Sequence, residues 1–144
     1  MFNLLVASGK PLNITQSKVA FRGHAIECRV TAELPYENFR PSPGRITTWR
    51  SPGGEFVRLD THCFEGYTVP LHYDSLLAKL IVHAENRSKA IECMLDALAR
   101  FSIEGIGTTL PFLKFAVSHP EFVGERMNTH LVDRMIKEMT SNRA

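Results

Sequence analysis

The chain has 144 residues, 44% of them hydrophobic, which is enough for one domain with a buried core. We therefore expect residues 1–144 to form a single domain. The 17 basic and 15 acidic residues give a net charge of +2 and are scattered along the chain. The basic stripe typical of a nucleic-acid-binding protein is missing, and no stretch has the length and hydrophobicity of a membrane span. We expect neither nucleic acid nor a membrane as a partner.

Cysteine and histidine usage bears on compartment and metal binding. The chain has an odd number of cysteines with no closely spaced pair: Cys28, Cys63 and Cys93. This is typical of reduced thiols, so we expect a cytoplasmic protein, with the matrix of an organelle as the other possibility. The six histidines lack the short spacing of zinc sites, and we expect this chain to bind no metal.

The first part of the chain predicts a short helix and then a strand. Residues 2–8 resemble the end of a helix stopped by Gly9, and we expect residues 1–20 to be the remnant of a connecting helix and its linker. His24–Glu33 alternates between apolar and polar residues, as a half-buried strand does. One face carries Ile26, Cys28, Val30 and Ala32, and the other carries Glu27, Arg29, Thr31 and Glu33.

Three further strands follow a proline-rich loop. Arg45–Arg50 and Phe56–Thr61 flank the turn sequence at 51–54, which predicts that they form a hairpin. The fourth strand, Tyr73–His83, is more apolar, and Lys79 lies on its polar face.

The period of the apolar residues then changes from two to that of a helix. Asn86–Phe101 predicts a helix with Asn86 as its N-cap. A short helix is expected over Leu110–Ser118 and a last one over Thr129–Met139. Strands first and helices after predict an α+β domain, with an antiparallel sheet and helices packed on one side.

Four ordered motifs resemble those of biotin carboxylases. They are the GHAIECR strand at Gly23–Arg29, the NFRPSPGRI loop at Asn38–Ile46, GYTVP at Gly66–Pro70 and YDSLLAKLI at Tyr73–Ile81. Enzymes of this family, in acetyl-CoA, propionyl-CoA and pyruvate carboxylases, use MgATP and bicarbonate to carboxylate biotin on a carrier protein. The resemblance implies that this chain has the fold of their C-terminal domain.

The family's ATP-grasp portion, which binds ATP and Mg²⁺, has no counterpart in this sequence. We therefore expect a C-terminal fragment that completes the biotin site and is inactive alone. The partners implied are its own upstream ATP-grasp domain, the biotin carboxyl carrier protein or domain, and a second copy in a homodimer. The alternative is a non-catalytic dimerisation or assembly module.

Arg29 is the residue to which the resemblance gives a catalytic role, because it matches the family's biotin-facing arginine. A fixed guanidinium can stabilise the ureido oxyanion that develops as biotin loses a proton. Glu27, on the same strand face and about 7 Å away, is expected to orient it. The pattern alone favours a different interpretation, in which Arg29 forms an ordinary cross-strand salt bridge on a solvated face.

The resemblance also points to other positions. Asp74 and Lys79 are expected to fix the strand face or, with Arg58, to form the subunit contact, and Thr129 falls where the family closes over the adenine of ATP. Two positions depart from the family pattern. Where the family has the sequence AEDP, this chain has Ala32-Glu33-Leu34-Pro35, and where the family has Thr-Asn, this chain has Thr108-Thr109.

Overall fold

The computed structural model describes residues 2–141; residues 1 and 142–144, the ends of the predicted 1–144 domain, lie outside the described part. Two single 3₁₀ turns, Gln16–Lys18 and Pro35–Glu37, join the regular elements. The helices are α1 (Phe2–Ala7), α2 (Arg87–Arg100), α3 (Leu110–Ser118), α4 (Pro120–Val123) and α5 (Leu131–Ser141). The strands are β1 (His24–Thr31), β2 (Glu33–Leu34), β3 (Arg40–Pro41), β4 (Gly44–Arg45), β5 (Thr48–Arg50), β6 (Val57–Thr61), β7 (Thr68–Val69), β8 (Leu76–Ala84) and β9 (Ser102–Glu104).

The largest sheet has the order β1-β8-β6, and both pairings are antiparallel. The alternation in β1 predicted a half-buried strand, and Ile26, Cys28 and Val30 lie on its core side as expected. Val30 lies opposite Ala78, and Leu80 lies between Cys28 and Leu59 in the register.

Helix α2 covers that apolar face and closes the main core. Val30, Leu80, Val82, Met94 and Leu98 have no exposed surface, and they belong to one cluster that joins the sheet to the helix. The other face of the sheet carries charged side chains. The predicted α+β architecture, an antiparallel sheet with helices on one side, is confirmed.

The helix bounds follow the sequence signals closely. The side chain of Asn86 accepts a hydrogen bond of 3.0 Å from the backbone N–H of Lys89, so Asn86 is the N-cap of α2, as predicted. Helix α3 has the predicted bounds, and α5 begins at Leu131, two residues after the predicted start. No helix among residues 2–141 is long and apolar enough to cross a membrane.

The predicted hairpin is wrong. Strand β5 pairs with β9, and β6 pairs with β8 at the edge of the main sheet. Both pairings bring an apolar side chain against the main core. Trp49 of β5 packs edge-on against Phe101, with ring centroids 5.3 Å apart, and Leu59 of β6 packs against the main core.

Two smaller clusters anchor the rest of the chain. Ile46, Val69 and Leu77 belong to a buried cluster beneath the loops that follow β1. Leu131 and Met135 of α5 pack against Phe112 of α3, which fixes the C-terminal helix to the domain.

Candidate functional site: the Arg29 cleft

An open cleft of about 370 Å³ lies where β1 ends and β8 begins. We call it the Arg29 cleft. Its polar lining comes from Arg29, Thr31, Glu33, Tyr73, Asp74 and Ser75, and its apolar lining from Ala32, Pro41, Pro43, Val69, Pro70, Leu71 and Leu76. A largely apolar cleft with a few convergent polar groups is the usual form of a small-molecule site.

The cleft forms at an irregularity in the sheet. Val30 pairs with Ala78, but the next residue, Thr31, pairs with Leu76, so Leu77 has no opposite residue. Such a bulge bends the strand and redirects its side chains, and bulges are common beside functional sites. Thr31, at the bulge, lines the cleft together with Arg29.

Arg29 lies at the junction of the cleft and the charged face of the sheet. Its side chain is 69% exposed, and its Nε lies 3.7 Å from Oε1 of Glu27. The two side chains therefore form an ion pair within β1. At this distance it orients the guanidinium loosely and leaves most of its donors pointing to the cleft and the solvent.

The carboxylate of Asp74 turns the chain into β8. Its Oδ1 accepts a hydrogen bond of 2.7 Å from the backbone N–H of Leu76, a local side-chain bond typical of an aspartate that starts a turn. The same residue lines the Arg29 cleft.

Arg58 and Lys79 lie on the charged face of the sheet. In the register, Lys79 lies between Arg29 and Asp60. The guanidinium of Arg58 donates two hydrogen bonds, of 2.9 and 2.8 Å, to the carboxylate of Asp60. These bonds hold the pKa of Asp60 below its ordinary value.

Of the predicted site residues, Arg29 and Asp74 line the cleft, whereas Glu27, Arg58, Lys79 and Thr129 do not. Thr129 is exposed, in a turn before α5. Within residues 2–141 no group of three or more His, Cys, Asp or Glu side chains could hold a metal ion.

Sequence reasoning missed a polar network beside Arg29. The carboxylate of Glu33 accepts hydrogen bonds from the hydroxyls of Thr31, at 2.9 Å, and Ser75, at 2.5 Å. Thr31 also contacts Thr109, whose hydroxyl accepts the backbone N–H of Thr31 at 3.0 Å. The alternation put Thr31 and Glu33 on the face of Arg29, but nothing in the sequence indicated that they meet Ser75 or Thr109.

The structure shows the contacts of the two residues that depart from the family pattern, Thr109 and Leu34. Thr109 is 4% exposed and joins the start of α3 to the end of β1 through the network described above. Leu34 lies so close to Gly107 that a Cβ at Gly107 would overlap its side chain. Glycine at this position allows the close approach.

Comparison with known proteins identifies what this arrangement resembles. The profile of the family described as "Biotin carboxylase C-terminal domain" matches residues 27–134. The biotin carboxylase of Allochromatium vinosum is 45% identical over 133 residues, which are 92% of this chain and 29% of that protein.

Two solved structures share the fold. The biotin carboxylase subunit of a pyruvate carboxylase matches with a TM-score of 0.92 and 36% identity, over 94% of this chain and 30% of that one. The biotin carboxylase domain dimer of Hydrogenobacter thermophilus 2-oxoglutarate carboxylase, solved with MgADP, ADP and bicarbonate, matches with a TM-score of 0.90 and 34% identity, over 92% and 29%. The chain thus spans less than a third of the length of these relatives.

Proposed function

The chain belongs to the biotin carboxylase C-terminal domain family, and we propose that it completes the biotin site of a carboxylase subunit. In that subunit MgATP and bicarbonate serve to carboxylate biotin on a carrier protein. The observation that carries the proposal is the position of Arg29, exposed and oriented by Glu27 at the mouth of an open cleft. We propose Arg29 as the catalytic residue and Glu27 as its support.

The chemistry of Arg29 fits the reaction. As the ureido nitrogen of biotin loses its proton, negative charge develops on the ureido oxygen. A guanidinium remains charged at every relevant pH and presents its donors in a rigid fork, so it stabilises that charge without a change in its own protonation. The volume of the cleft, about 370 Å³, falls within the range of about 300–1,000 Å³ typical of small-molecule pockets.

ATP and Mg²⁺ are proposed to bind the upstream ATP-grasp domain of the subunit. The relative from Hydrogenobacter thermophilus was solved with MgADP and bicarbonate and is more than three times as long as this chain. The described residues of this chain include no cluster of carboxylates suited to a divalent cation. Mg²⁺ would neutralise phosphate charge during ATP cleavage, whereas Arg29 would act on biotin. Thr129 remains a candidate for closure over the adenine.

A second copy and a biotin carrier protein are the proposed partners, together with the upstream domain. The charged face of the sheet supports the homodimer, because Arg58, Asp60 and Lys79 carry both signs of charge on an uncovered surface. A two-fold interface places the same patch on both subunits, so such a patch can complement itself. Asp74, which lines the cleft instead, is better suited to shaping the site.

The same charged face supports a second candidate function, a non-catalytic module that dimerises or braces other subunits. In that case Arg29 and Glu27 would form an ordinary salt bridge on the sheet. The two functions differ in what the loss of Arg29 does, as described below.

The proposed cellular location is the cytoplasm or the matrix of an organelle. Cys28, Cys63 and Cys93 are all free thiols, which is usual in reducing compartments. We also propose that residues 1–20 connect this domain to the upstream part of the subunit. Leu4 and Leu12 support this, because they are 77% and 52% exposed and have apolar surface for a neighbour to cover.

Replacement of Arg29 tests the proposed function, in a carboxylase subunit that carries this chain as its C-terminal part. Arg29→Met should lower kcat for biotin carboxylation about a hundred- to thousandfold, the usual cost of losing one such donor. Biotin KM should rise less, since the bond strengthens in the transition state. Arg29→Lys should rescue only partly, because a flexible ammonium lacks the planar fork.

Bicarbonate-dependent ATP cleavage without biotin should change less, because it depends on upstream groups. Asp96→Ala, on the far side of α2, is the control and should leave both reactions unchanged. An Arg29→Met subunit that melts earlier but carboxylates biotin at the full rate would remove Arg29 from the active site and favour the assembly module.

A further inference from the structure

One carboxylate in the Arg29 cleft joins two separate segments of the chain. Oε2 of Glu33 accepts the hydroxyl of Thr31, the last residue of β1, at 2.9 Å. Oε1 accepts the hydroxyl of Ser75, just before β8, at 2.5 Å. The Ser75 hydroxyl donates to Glu33, and the Thr31 hydroxyl lies within hydrogen-bonding distance of both Glu33 and, at 3.2 Å, the hydroxyl of Thr109. The side chain of Glu33 is half-buried, where such charge-assisted bonds are strong.

We call these two hydrogen bonds, from Thr31 and Ser75 to Glu33, the Glu33 bridge. The bridge spans the bulge of the main sheet. Because Leu77 has no opposite residue, the ladder is interrupted here and the two strands are less constrained than elsewhere. A backbone hydrogen bond from Ala32 N to Ser75 O, at 2.8 Å, also crosses this point. The two side-chain bonds of Glu33 therefore add substantially to the connection between β1 and β8.

Thr109 holds the Thr31 end of the bridge in place. Thr31 and Thr109 exchange hydrogen bonds, since Thr31 N–H donates to the Thr109 hydroxyl and Thr109 N–H donates to the carbonyl of Thr31, at 3.0 and 3.1 Å. Thr109 is buried and lies at the start of α3. The Thr31 hydroxyl beside Glu33 is thus held by the core of the domain.

The position of Glu33 in the cleft is not explained by an ion pair with a basic side chain. Among residues 2–141 Glu33 takes part in no ion pair with a lysine, arginine or histidine, and its bonds are to hydroxyls. It lies in the cleft with Arg29 on one side of the bulge and Asp74 on the other, because Thr31 is two residues from Arg29 and Ser75 is next to Asp74.

We infer that Glu33 is a positioning residue for the biotin-dependent step, and this inference rests on the proposed function. By joining Thr31 to Ser75, Glu33 sets the distance between the guanidinium of Arg29 and the carboxylate of Asp74 across the cleft. Without the bridge, the bulge relaxes and Arg29 shifts relative to bound biotin. A displacement of 1 Å at a reacting group costs about a hundredfold in rate.

The test uses a carboxylase subunit that carries this chain and compares Glu33→Met, Glu33→Gln and Glu104→Met. Methionine keeps the length of glutamate and removes both acceptors, whereas glutamine keeps the shape and can still bond both hydroxyls. Glu104 is a matched control, because it also accepts a hydroxyl bond, from Thr48 at 2.8 Å, but lies away from the cleft.

Glu33→Met should lower kcat for biotin carboxylation about a hundredfold and change biotin KM less. ATP cleavage without biotin should stay near the wild-type rate. Glu33→Gln should restore most of kcat, and Glu104→Met should behave as wild type. Addition of Ser75→Ala to Glu33→Met should cause no further loss, because both changes remove the same bridge.

The inference is overturned if Glu33→Met carboxylates biotin as well as Glu104→Met does. It is equally overturned if both half-reactions and the melting temperature fall together, because that result describes a purely structural residue. Different results would contradict the proposed function itself. In that case the unsubstituted subunit would show no biotin-dependent turnover, or Arg29→Met would leave turnover unchanged.

Discussion

Cys28 shows how burial changes the chemistry of one side chain. It lies on the core face of β1 and is 5% exposed. Burial, together with repulsion from the carboxylate of Glu27, raises the pKa of its thiol to about 12. The thiolate is the nucleophilic form of cysteine, so Cys28 should be inert in the folded protein. Cys93, on α2, is only half-buried, so reagents reach it more easily.

Alkylation measures this difference directly. With iodoacetamide at pH 8, Cys93 should react first and Cys28 should react at the rate of global unfolding. Mass spectrometry of the digested peptides gives the order of labelling, and the chain in denaturant provides the intrinsic rates. Equal native rates at Cys28 and Cys93 would show that the core of the sheet is more open than described.

The raised pKa of Cys28 also gives stability a pH dependence with a definite sign. In the unfolded chain the thiol titrates near its ordinary value of 9.0, whereas in the folded protein it titrates at about 12. The folded state therefore binds the proton more tightly. This contribution to the free energy of unfolding is complete below pH 9 and is lost as the pH rises towards 12. We therefore expect the free energy of unfolding to fall between pH 8 and pH 10, and to fall less for Cys28→Ala than for the unsubstituted chain. Urea titrations at the two pH values measure both changes.

At the scale of single elements, helix α2 stabilises the domain through its buried face. Leu98 has no exposed surface, whereas Asp96 is exposed and bonds Arg100. Leu98→Ala should cost roughly 2–5 kcal/mol by removing buried methyl groups and leaving a cavity. Asp96→Ala should change stability by no more than about 0.5 kcal/mol. Equal shifts of the two variants in a denaturant titration would contradict the packing of α2.

The start of the same helix depends on its cap. Asn86→Ala removes the acceptor for the N–H of Lys89 and should cost about 1 kcal/mol. Asn86→Ser should cost much less, because serine also caps helices well. Thermal unfolding of the two variants distinguishes loss of the cap from loss of the side chain as such.

At the scale of the whole molecule, the isolated chain should release no ADP from ATP in the presence of bicarbonate and biotin. ATP cleavage requires a phosphate cradle and a magnesium site, and the described residues include no cluster of carboxylates of that kind. A coupled assay of ADP release against a no-protein control provides the measurement. Clear turnover above the control would contradict the proposed division of labour between the two parts of a subunit.

Self-association should depend on the charged face of the sheet. Arg58→Glu reverses one charge and places a carboxylate beside Asp60, so we expect weaker dimerisation of the carboxylase subunit in sedimentation velocity experiments. Lys89→Glu, on helix α2 in a surface ion pair, is the matched control and should leave the dimer intact. If Arg58→Glu associates as strongly as the unsubstituted subunit, the dimer interface does not include this face of the sheet.

The sequence determined the features that depend on neighbouring residues. Alternation gave β1 its two faces, a period near 3.6 gave α2 its stripe, and Asn86 marked its start, because backbone geometry sets these spacings. The two-residue spacing of Glu27 and Arg29 likewise placed them on one strand face. Four motifs were enough to indicate the family, whose profile then matched residues 27–134.

Only the tertiary structure decided which distant segments meet. The turn at 51–54 favoured a hairpin, yet β5 and β6 pair with other strands, where Trp49 and Leu59 pack against the main core. The bond between Glu33 and Ser75 joins residues 42 positions apart, and it exists because a bulge shifts the register at Leu77. Partners at such separations are chosen by packing of the whole chain, and no local pattern carries that information.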